Sequence, residues 1–278
     1  MDVSVVTPSL NMLGYLKRCV SSVRDQNYPR CEHIIMDGGS TDGTAEWLAQ
    51  QPSLVSAVGP DNGMYDAVNL GFRRARGRII AHLNCDEQYL PGTLDFVTRY
   101  FDAHPNVDLL FGDTLTVRPD GSLIAFRKTI RPLPPVLSLP PLYVPTAAMF
   151  FRRRIIDEAH FYDASYTQVA DLAWVQDLVR HGYRLRHVRR YCAAFTITGT
   201  NMSQVSPSVA REVERFLRGL PWWIRGLRRE WRAVGWIEKL LAGCYTQATP
   251  LAYSIYTSSS ATLRSRLVAE TASFRWRG

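Results

Sequence analysis

The first 115 residues alternate short runs of β-branched residues with stretches whose apolar residues recur at helical spacing. Between the first two runs, for example, Leu16, Val20 and Val23 would share one helix face. Strands that alternate with helices are typical of a parallel sheet covered by helices. The sequence therefore predicts an α/β fold, with strands near residues 3–6, 33–36, 55–58, 78–83 and 107–111.

The next part of the chain is less regular. Residues 112–151 predict a hairpin, with its turn at Pro119-Asp120-Gly121, followed by a proline-rich loop. Beyond this loop the pattern predicts one helix and then two separate strands, at residues 171–181, 184–188 and 193–197.

The last part of the chain predicts helices that carry most of the net charge. Residues 208–240 are helical in pattern, with breaks expected at Pro221 and Gly226. Residues 1–210 hold 21 basic and 20 acidic residues, whereas 211–278 hold 12 and 5, so +7 of the net +8 lies in this segment. We therefore expect an α/β domain over 1–205 and a basic helical extension over 206–278.

Polar and acidic residues follow three of the predicted strands directly. They are Asp37, the segment 61–66 and the segment 84–87. Because ligands of an open parallel sheet bind at the carboxyl ends of its strands, we expect these groups to converge. A single such group would be an ordinary solvated turn. Carboxylates there could hold Mg²⁺, which commonly uses one or two of them together with substrate phosphates. The chain contains neither a Walker A motif nor G-x-G-x-x-G, which excludes the usual P-loop and dinucleotide sites.

Four segments, in their order and spacing, resemble one enzyme family. The chain is similar to the inverting, nucleotide-sugar-dependent glycosyltransferases of family 2, which have the GT-A fold, a Rossmann-like, mostly parallel sheet covered by helices. Within that family it resembles the bacterial branch that builds exopolysaccharides and lipid-linked surface glycans. The resemblance covers about residues 1–205 and is carried by VSVVTPSLN at 3–11, HIIMDGGSTDGT at 33–44, PDNGMYDAVNLG at 60–71 and LNCDE at 83–87.

The resemblance implies a role for individual residues of these segments. The first-strand loop, with Thr7, Pro8 and Asn11, would touch the nucleotide, and Asp37 would bind its base. Further along the chain, the donor's ribose, diphosphate and sugar would lie against Asp61, Gly63 and Asp66. The metal motif would be Asn84-Cys85-Asp86, with Asp86 as the ligand of Mg²⁺ or Mn²⁺. Glu87 stands where the branch usually has Asp, so a contact of its longer side chain with metal or donor is left open.

The catalytic base is expected at the start of a later helix. The segment ADLAWVQDL at 170–178 resembles the family's D-x-x-L-W-x-x-L pattern, which implies Asp171 as the base. From the residues alone, an Asp at that position is equally a helix cap. Asp177 falls on another part of the same helix, and we expect it to be structural, like the lone His181 and His187.

The basic extension predicts contact with a membrane surface. Its aromatic and aliphatic residues recur at helical spacing among arginines, a pattern typical of helices that lie on anionic lipid. Packing of the same stripe on the α/β domain is the alternative. No recognition motif accompanies the charge, so nucleic acid is not an expected partner. The stripe comprises Phe216, Leu220, Trp223, Leu227, Trp231 and Val234.

Five widely spaced cysteines without a CxxC pair indicate neither a zinc site nor a disulfide framework. The N-terminus has no signal-peptide pattern. These features favour a cytoplasmic protein, peripheral at the inner face of the cell membrane.

The expected partners are a UDP- or GDP-linked sugar and a glycan or lipid-linked acceptor. Two alternatives stay open: a sugar-nucleotide-forming nucleotidyltransferase, and a non-catalytic, membrane-associated binding subunit that keeps the fold.

Overall fold

The computed structural model describes residues 1–199, 201 and 207–275. Its strands are β1 Val3–Ser9, β2 Cys31–Asp37, β3 Val55–Val58, β4 Ile79–His82, β5 Glu87–Tyr89, β6 Leu109–Val117, β7 Leu123–Arg127, β8 Met149–Arg152, β9 Leu185–Thr196, β10 Leu251–Ile255 and β11 Ser265–Ala269. Its helices are α1 Leu13–Arg24, α2 Thr44–Ala49, α3 Met64–Arg74, α4 Thr93–Ala103, α5 Pro134–Leu137, α6 Arg154–Asp157, α7 Ala170–Arg180, α8 Pro207–Arg218, α9 Trp222–Gly226 and α10 Arg228–Leu241, with a 3₁₀ turn at Thr146–Ala148.

Within the described residues, β1 to β9 form one sheet in the order β3-β2-β1-β4-β8-β6-β9-β5, with β7 paired to β6. Strands β1, β2, β3, β4, β6 and β9 run in one direction, and β5, β7 and β8 run against them. Every residue of β1 is buried, as expected for a central strand covered on both faces. The predicted α/β fold with a mostly parallel, helix-covered sheet is confirmed.

Alternate residues of the central strands enter two separate cores. On one face Val6, Ile34 and Ile80 pack with residues of α3 and α7, such as Phe72 and Trp174. On the other face Val3, Val5 and Ile79 pack with residues of α1 and α4. This follows from the two-residue period of a strand, which sends neighbouring side chains to opposite faces.

Helix α3 lies very close to β1 because Gly71 has no side chain. A Cβ at Gly71 would lie 2.3 Å from Val6 Cγ1. The close approach brings the first turn of α3, with Tyr65 and Asp66, to the carboxyl edge of the parallel strands.

Two predictions about the second half of the chain were wrong in detail. The strands predicted at 184–188 and 193–197 are one strand, β9, which follows β6 through register shifts around Asp113. Residues 251–269, predicted to be helical, contain the hairpin β10–β11. Tyr253 and Ile255 of this hairpin pack on Leu115 and Val117 of β6 and on other apolar residues of the sheet.

The extension is helical over α8, α9 and α10, and the breaks predicted at Pro221 and Gly226 are confirmed. Phe216, Leu220 and Ile224 are buried with Val169 and Leu172, so the extension shares a core with α7. The predicted boundary at 205/206 lies outside the described residues, and the division into two domains stays a prediction. Within the described ranges, no helix has both the length and the apolar character needed to cross a bilayer.

Candidate active site

The loops that follow β1 and β2 are tied together by side-chain hydrogen bonds. Asn11 has a left-handed backbone (φ 51°), its amide donates to Ser40 Oγ at 2.7 Å, and its Oδ1 accepts from the Thr41 amide at 2.8 Å. The buried Asp37 carboxylate accepts from the amides of Gly39 and Ser40 and from Ser40 Oγ, at 3.2, 2.9 and 2.6 Å. Asp37 therefore shapes the loop at the end of β2, at the position where the base-binding acid was predicted.

The segment after β3 lies against this loop. Asp61 Oδ1 accepts from the Gly63 amide at 2.8 Å, and a Cβ at Gly38 would lie 2.9 Å from Asp61 Oδ2. Gly63 is at φ 108°, a conformation that favours glycine, and it immediately precedes α3. In the first turn of α3, Asp66 accepts from the Asn62 amide at 3.1 Å. The predicted donor segments are thus adjacent in space.

The side chains of three predicted site residues point into the core. Thr7 is fully buried, and its hydroxyl lies 2.8 Å from His33 Nε2. Pro8 is also buried. Cys85 packs among apolar residues of α1 and β2, 3.7 Å from Met12 Sδ. The side chains of Thr7 and Pro8 therefore support the first-strand loop from beneath, and that of Cys85 supports the metal motif. Contact of these two segments with the donor stays a prediction.

The acidic segment after β4 is closely organised. Glu87 is 4% exposed, and its Oε2 accepts from the Asn84 amide at 2.8 Å. Asp86 is partly exposed, and its Oδ2 accepts from Asn201 Nδ2 at 2.7 Å. The Asn201 amide group also donates to the Thr196 carbonyl at 2.9 Å, which anchors it to the end of β9.

Burial raises the pKa of both carboxyl groups, and the Asp86 charge raises that of Glu87 further. Burial raises the pKa of Asp86 to about 6. Burial, followed by the nearby Asp86 charge, raises the pKa of Glu87 to about 8. Two hard oxygen donors whose negative charge is poorly compensated suit a hard divalent cation. The residues present therefore fit Mg²⁺ or Mn²⁺, with Asp86 as the more accessible ligand.

A neutral histidine supports the acidic segment from the core. Burial lowers the pKa of His82 to about 4, so its ring is uncharged at neutral pH. Its Nε2 lies 2.9 Å from Asn84 Oδ1, and its Nδ1 lies 3.3 Å from the Tyr162 hydroxyl. With Asn84 Oδ1 as acceptor, Nε2 carries the proton, and Nδ1 accepts from Tyr162.

Asp171 is held at the start of α7 by groups distant in sequence. Its Oδ2 accepts from Thr146 Oγ1 at 3.1 Å, its Oδ1 accepts from the Leu172 amide at 2.8 Å, and the Tyr65 hydroxyl also donates to its carboxylate. Burial nevertheless raises the pKa of Asp171 above its ordinary value of 3.8. The N-cap of α7 is Val169, so the interpretation of Asp171 as the helix cap is wrong.

The negative charge of Asp171 is close enough to the acidic segment after β4 to contribute to the raised pKa of Glu87. One region therefore brings together the start of α7, the end of β4 and the first turn of α3. No local pattern marked Thr146, His82 or Asn201, because their roles depend on contacts that form only in the folded chain. Tyr65 stood inside a quoted motif, but nothing marked it as a partner of Asp171.

The other candidates lie elsewhere. Asp177 accepts from His160 Nδ1 at 2.6 Å and lies 3.2 Å from His181 Nδ1, away from the acidic segment. His187 is bound to the buried Asp113 at 2.9 Å. Asp177, His181 and His187 are therefore bonded to neighbouring side chains outside the acidic segment.

The comparison with known families matches residues 4–160 to glycosyl transferase family 2. The putative teichuronic acid biosynthesis glycosyltransferase TuaG of Bacillus subtilis is 38% identical over 98 residues, which are 34% of this chain and 39% of that protein. The chondroitin synthase of Pasteurella multocida is 30% identical over 127 residues, which are 44% of this chain and 13% of that protein. The chain thus spans less than half the length of these curated relatives.

Solved structures share the fold. S. aureus TarS 1–349 in complex with UDP has a TM-score of 0.62 at 15% identity, covering 98% of this chain and 100% of that chain. The mannosyltransferase PcManGT from Pyrobaculum calidifontis, in complex with GDP-Man and Mn²⁺, has a TM-score of 0.54 at 15% identity, covering 87% and 78%.

Proposed function

Because the chain belongs to glycosyl transferase family 2, as its motifs predicted, we propose that it is an inverting glycosyltransferase. It moves a sugar from a nucleoside-diphosphate sugar to a hydroxyl group of a glycan or lipid-linked acceptor. The observation that carries this proposal is the partly exposed Asp171 carboxylate, which Thr146 and Tyr65, from the first turn of α3, hold next to the predicted donor segment.

Asp171 is the general base of the reaction. It takes the proton of the acceptor hydroxyl as that oxygen attacks the anomeric carbon, and the bond from this carbon to the diphosphate oxygen breaks on the opposite face. The raised pKa of Asp171 makes it a stronger base than an exposed aspartate. Thr146 and Tyr65 donate to the carboxylate and fix its direction. One displacement inverts the anomeric configuration.

The donor lies over the loops built by Asn11, Asp37, Asp61, Gly63 and Asp66. Their hydrogen bonds make the loops rigid before the donor binds, which reduces the entropic cost of binding. A divalent cation at Asp86 would neutralise the leaving diphosphate. UDP- and GDP-linked sugars are the first donors to test, because TarS structures contain UDP-GlcNAc and UDP, and PcManGT contains GDP-Man and Mn²⁺.

The test compares release of nucleoside diphosphate by the wild type, Asp171→Asn and Asp86→Ala across a panel of donors with Mn²⁺. Asp171→Asn should keep donor binding, followed by thermal shift, and lose roughly 100-fold or more in transfer. Asp86→Ala should lose donor binding as well. Asp177→Asn, on the same helix, is the matched control and should transfer at the wild-type rate. Transfer by Asp171→Asn within a few-fold of the control would refute the base assignment.

Peripheral attachment to an anionic membrane, at its cytoplasmic face, is the second part of the proposal. The side chains of α9 and α10 that do not pack on the core form an exposed apolar surface beside exposed arginines. Trp222 and Leu241 are each 79% exposed, and Trp236 is 57% exposed. Val234, Ile237 and Leu241 recur at helical spacing, and all three are exposed. The arginines are Arg225, Arg228, Arg229 and Arg232.

Cosedimentation with lipid vesicles tests the attachment. Binding should require anionic lipid and weaken with salt, because each arginine near the surface contributes about 1 kcal/mol. Leu241→Ser should bind less than the wild type. Leu263→Ser removes an equally exposed leucine (79%) outside these helices and should bind like the wild type. Equal binding to zwitterionic vesicles, or equal losses in both variants, would contradict the assignment.

A further inference from the structure

Glu212, on α8 of the C-terminal extension, is bonded to the segment that leads into α7. Its Oε1 accepts from the Thr167 amide at 2.9 Å and from Thr167 Oγ1 at 2.6 Å. Its Oε2 accepts from the Gln168 amide at 2.8 Å, and the Val169 amide also bonds to the carboxylate. One carboxylate thus binds three consecutive backbone amides, of which the last belongs to the N-cap residue of α7.

These amides need an acceptor. The amides of the N-cap residue and of the residues before it have no partner within the helix, and the helix dipole favours negative charge near its start. Val169 at the N-cap has no polar side-chain atom to supply one. Burial alone would raise the pKa of Glu212, but the bonds from Thr167 and the amides lower it below the ordinary value. Glu212 therefore supplies, from α8, the acceptor for the amides that lead into α7, in addition to Asp171 within its first turn.

The same face of α8 holds the segment by two further contacts. Arg215, three residues after Glu212, donates to Ser165 Oγ at 2.9 Å, and its guanidinium lies 4.4 Å from the Tyr166 ring centroid. Phe216 and Leu220 pack on Val169 and Leu172. Helix α8 is therefore docked on residues 165–172 by polar and apolar contacts together.

We propose that Glu212 is a positioning residue for Asp171. Asp171 is the second residue of α7, only two positions beyond the amide of Val169, so the carboxylate that holds these amides sets where α7 begins and where Asp171 points. The inference rests on the proposed role of Asp171 as the base. Through Glu212 the C-terminal extension contributes to catalysis, in addition to its proposed attachment to the membrane. No residue of the extension needs to touch the substrate for this effect.

Glu212→Gln in the full-length protein tests the proposal, with Glu214→Gln as the matched control. Gln keeps the shape of Glu212 but leaves a single acceptor oxygen for these donors. Glu214 lies on the same helix and is exposed. Among the described residues, its side chain bonds only to Arg218, at 2.6 Å. Both variants therefore lose the same charge from α8, but only Glu212→Gln loosens the start of α7.

For Glu212→Gln we expect kcat to fall about 10-fold, since small displacements of a catalytic group cost one to two orders of magnitude. The donor KM should stay within about 2-fold, because the donor loops are untouched. Hydrogen exchange at the amides of 167–169 should become faster than in Glu214→Gln. A kcat equal to that of Glu214→Gln, with faster exchange at these amides, would overturn the positioning role.

The two proposals fail in different ways. If Asp171→Asn keeps transferring sugar, the base assignment fails whatever Glu212→Gln does. If Asp171→Asn is inactive while Glu212→Gln keeps the control's kcat, only the positioning role fails. Unchanged exchange of the 167–169 amides in Glu212→Gln would also overturn it, since it would mean that Glu212 does not hold the start of α7.

Discussion

Replacing Glu87 with Gln should remove a loss of stability that the wild type shows as the pH rises towards about 8. Burial and the neighbouring Asp86 charge raise the pKa of Glu87 to about 8 from an ordinary 4.5. The folded protein therefore keeps a proton that the unfolded chain releases above pH 4.5. Because the folded pKa is the higher one, the stabilisation is complete below pH 4.5 and is lost as the pH rises through about 8.

The size of the effect follows from these two pKa values. Each pH unit between them costs about 1.4 kcal/mol, and the loss levels off near the folded pKa. From pH 6.5 to pH 8 Glu87 should therefore cost the wild type about 1 to 2 kcal/mol in its free energy of unfolding, relative to Glu87→Gln. Gln has the same shape and can accept the Asn84 amide hydrogen bond, but it does not ionise. Glu87→Gln should therefore lack this loss.

Urea unfolding in the presence of a chelator, at pH 6.5 and at pH 8, is the assay. In this window the two buried histidines act in the opposite direction, and they do so in both proteins. Burial lowers the pKa of His33 to about 3 and of His82 to about 4, so their partial protonation in the unfolded chain lowers stability near pH 6.5. The comparison is therefore between the slopes of the wild type and of Glu87→Gln. Glu46→Gln, at an exposed position on α2, is the control and should show the wild-type slope. A Glu87→Gln slope equal to the wild-type slope would refute the reasoning.

Two further substitutions probe parts of the fold that hold the site. Gly38→Ala should raise the donor KM several-fold and change the free energy of unfolding by less than about 1 kcal/mol, because the new Cβ would lie 2.9 Å from Asp61 Oδ2 at the protein surface. Initial rates and urea unfolding measure the two quantities. An unchanged KM would contradict the donor placement. Arg264 donates two hydrogen bonds of 2.5 Å to the Asp25 carboxylate and further ones to the carbonyls of Tyr89 and Ser22. Arg264→Met leaves these acceptors without their donor and should lower the free energy of unfolding by about 3 kcal/mol. Arg266→Met, at an exposed position of β11, is its control. Equal effects of the two substitutions would show that the half-buried ion pair of Arg264 with Asp25 is not what attaches the hairpin.

The parallel half of the sheet could be predicted because its signal is local. A strand buried on both faces is a short apolar run, and a covering helix repeats its apolar residues every three or four positions. The acidic groups at the ends of β2, β3 and β4 could be foreseen for the same reason, since the strand directions determine where the chain leaves the sheet. The breaks at Pro221 and Gly226 are also local.

Other elements depended on contacts between distant residues. Strand β5 has three residues, too few for a pattern, and it forms because it pairs with β9. Strand β10 alternates Leu251, Tyr253 and Ile255 with smaller residues, a local signal that the expectation of a helical extension overlooked. The hairpin β10–β11 is held by packing on β6 and by Arg264. Thr7 stood in the right motif, but alternation along β1 decided that its side chain faces the core. Cys85, between β4 and β5, is buried by packing on α1 and β2.

By itself, the sequence determined the family, the parallel core and the order of the polar loops along one edge of the sheet, because short-range patterns encode secondary structure and the sheet topology follows from it. Only the tertiary structure decided how the candidate base is held. Asp171 is bound by Thr146 from 25 positions away, Asp86 by Asn201 from 115, and the start of α7 by Glu212 from 45. Such pairs leave no periodic trace, since a hydrogen bond requires two groups to meet in space and sets no condition on the residues between them.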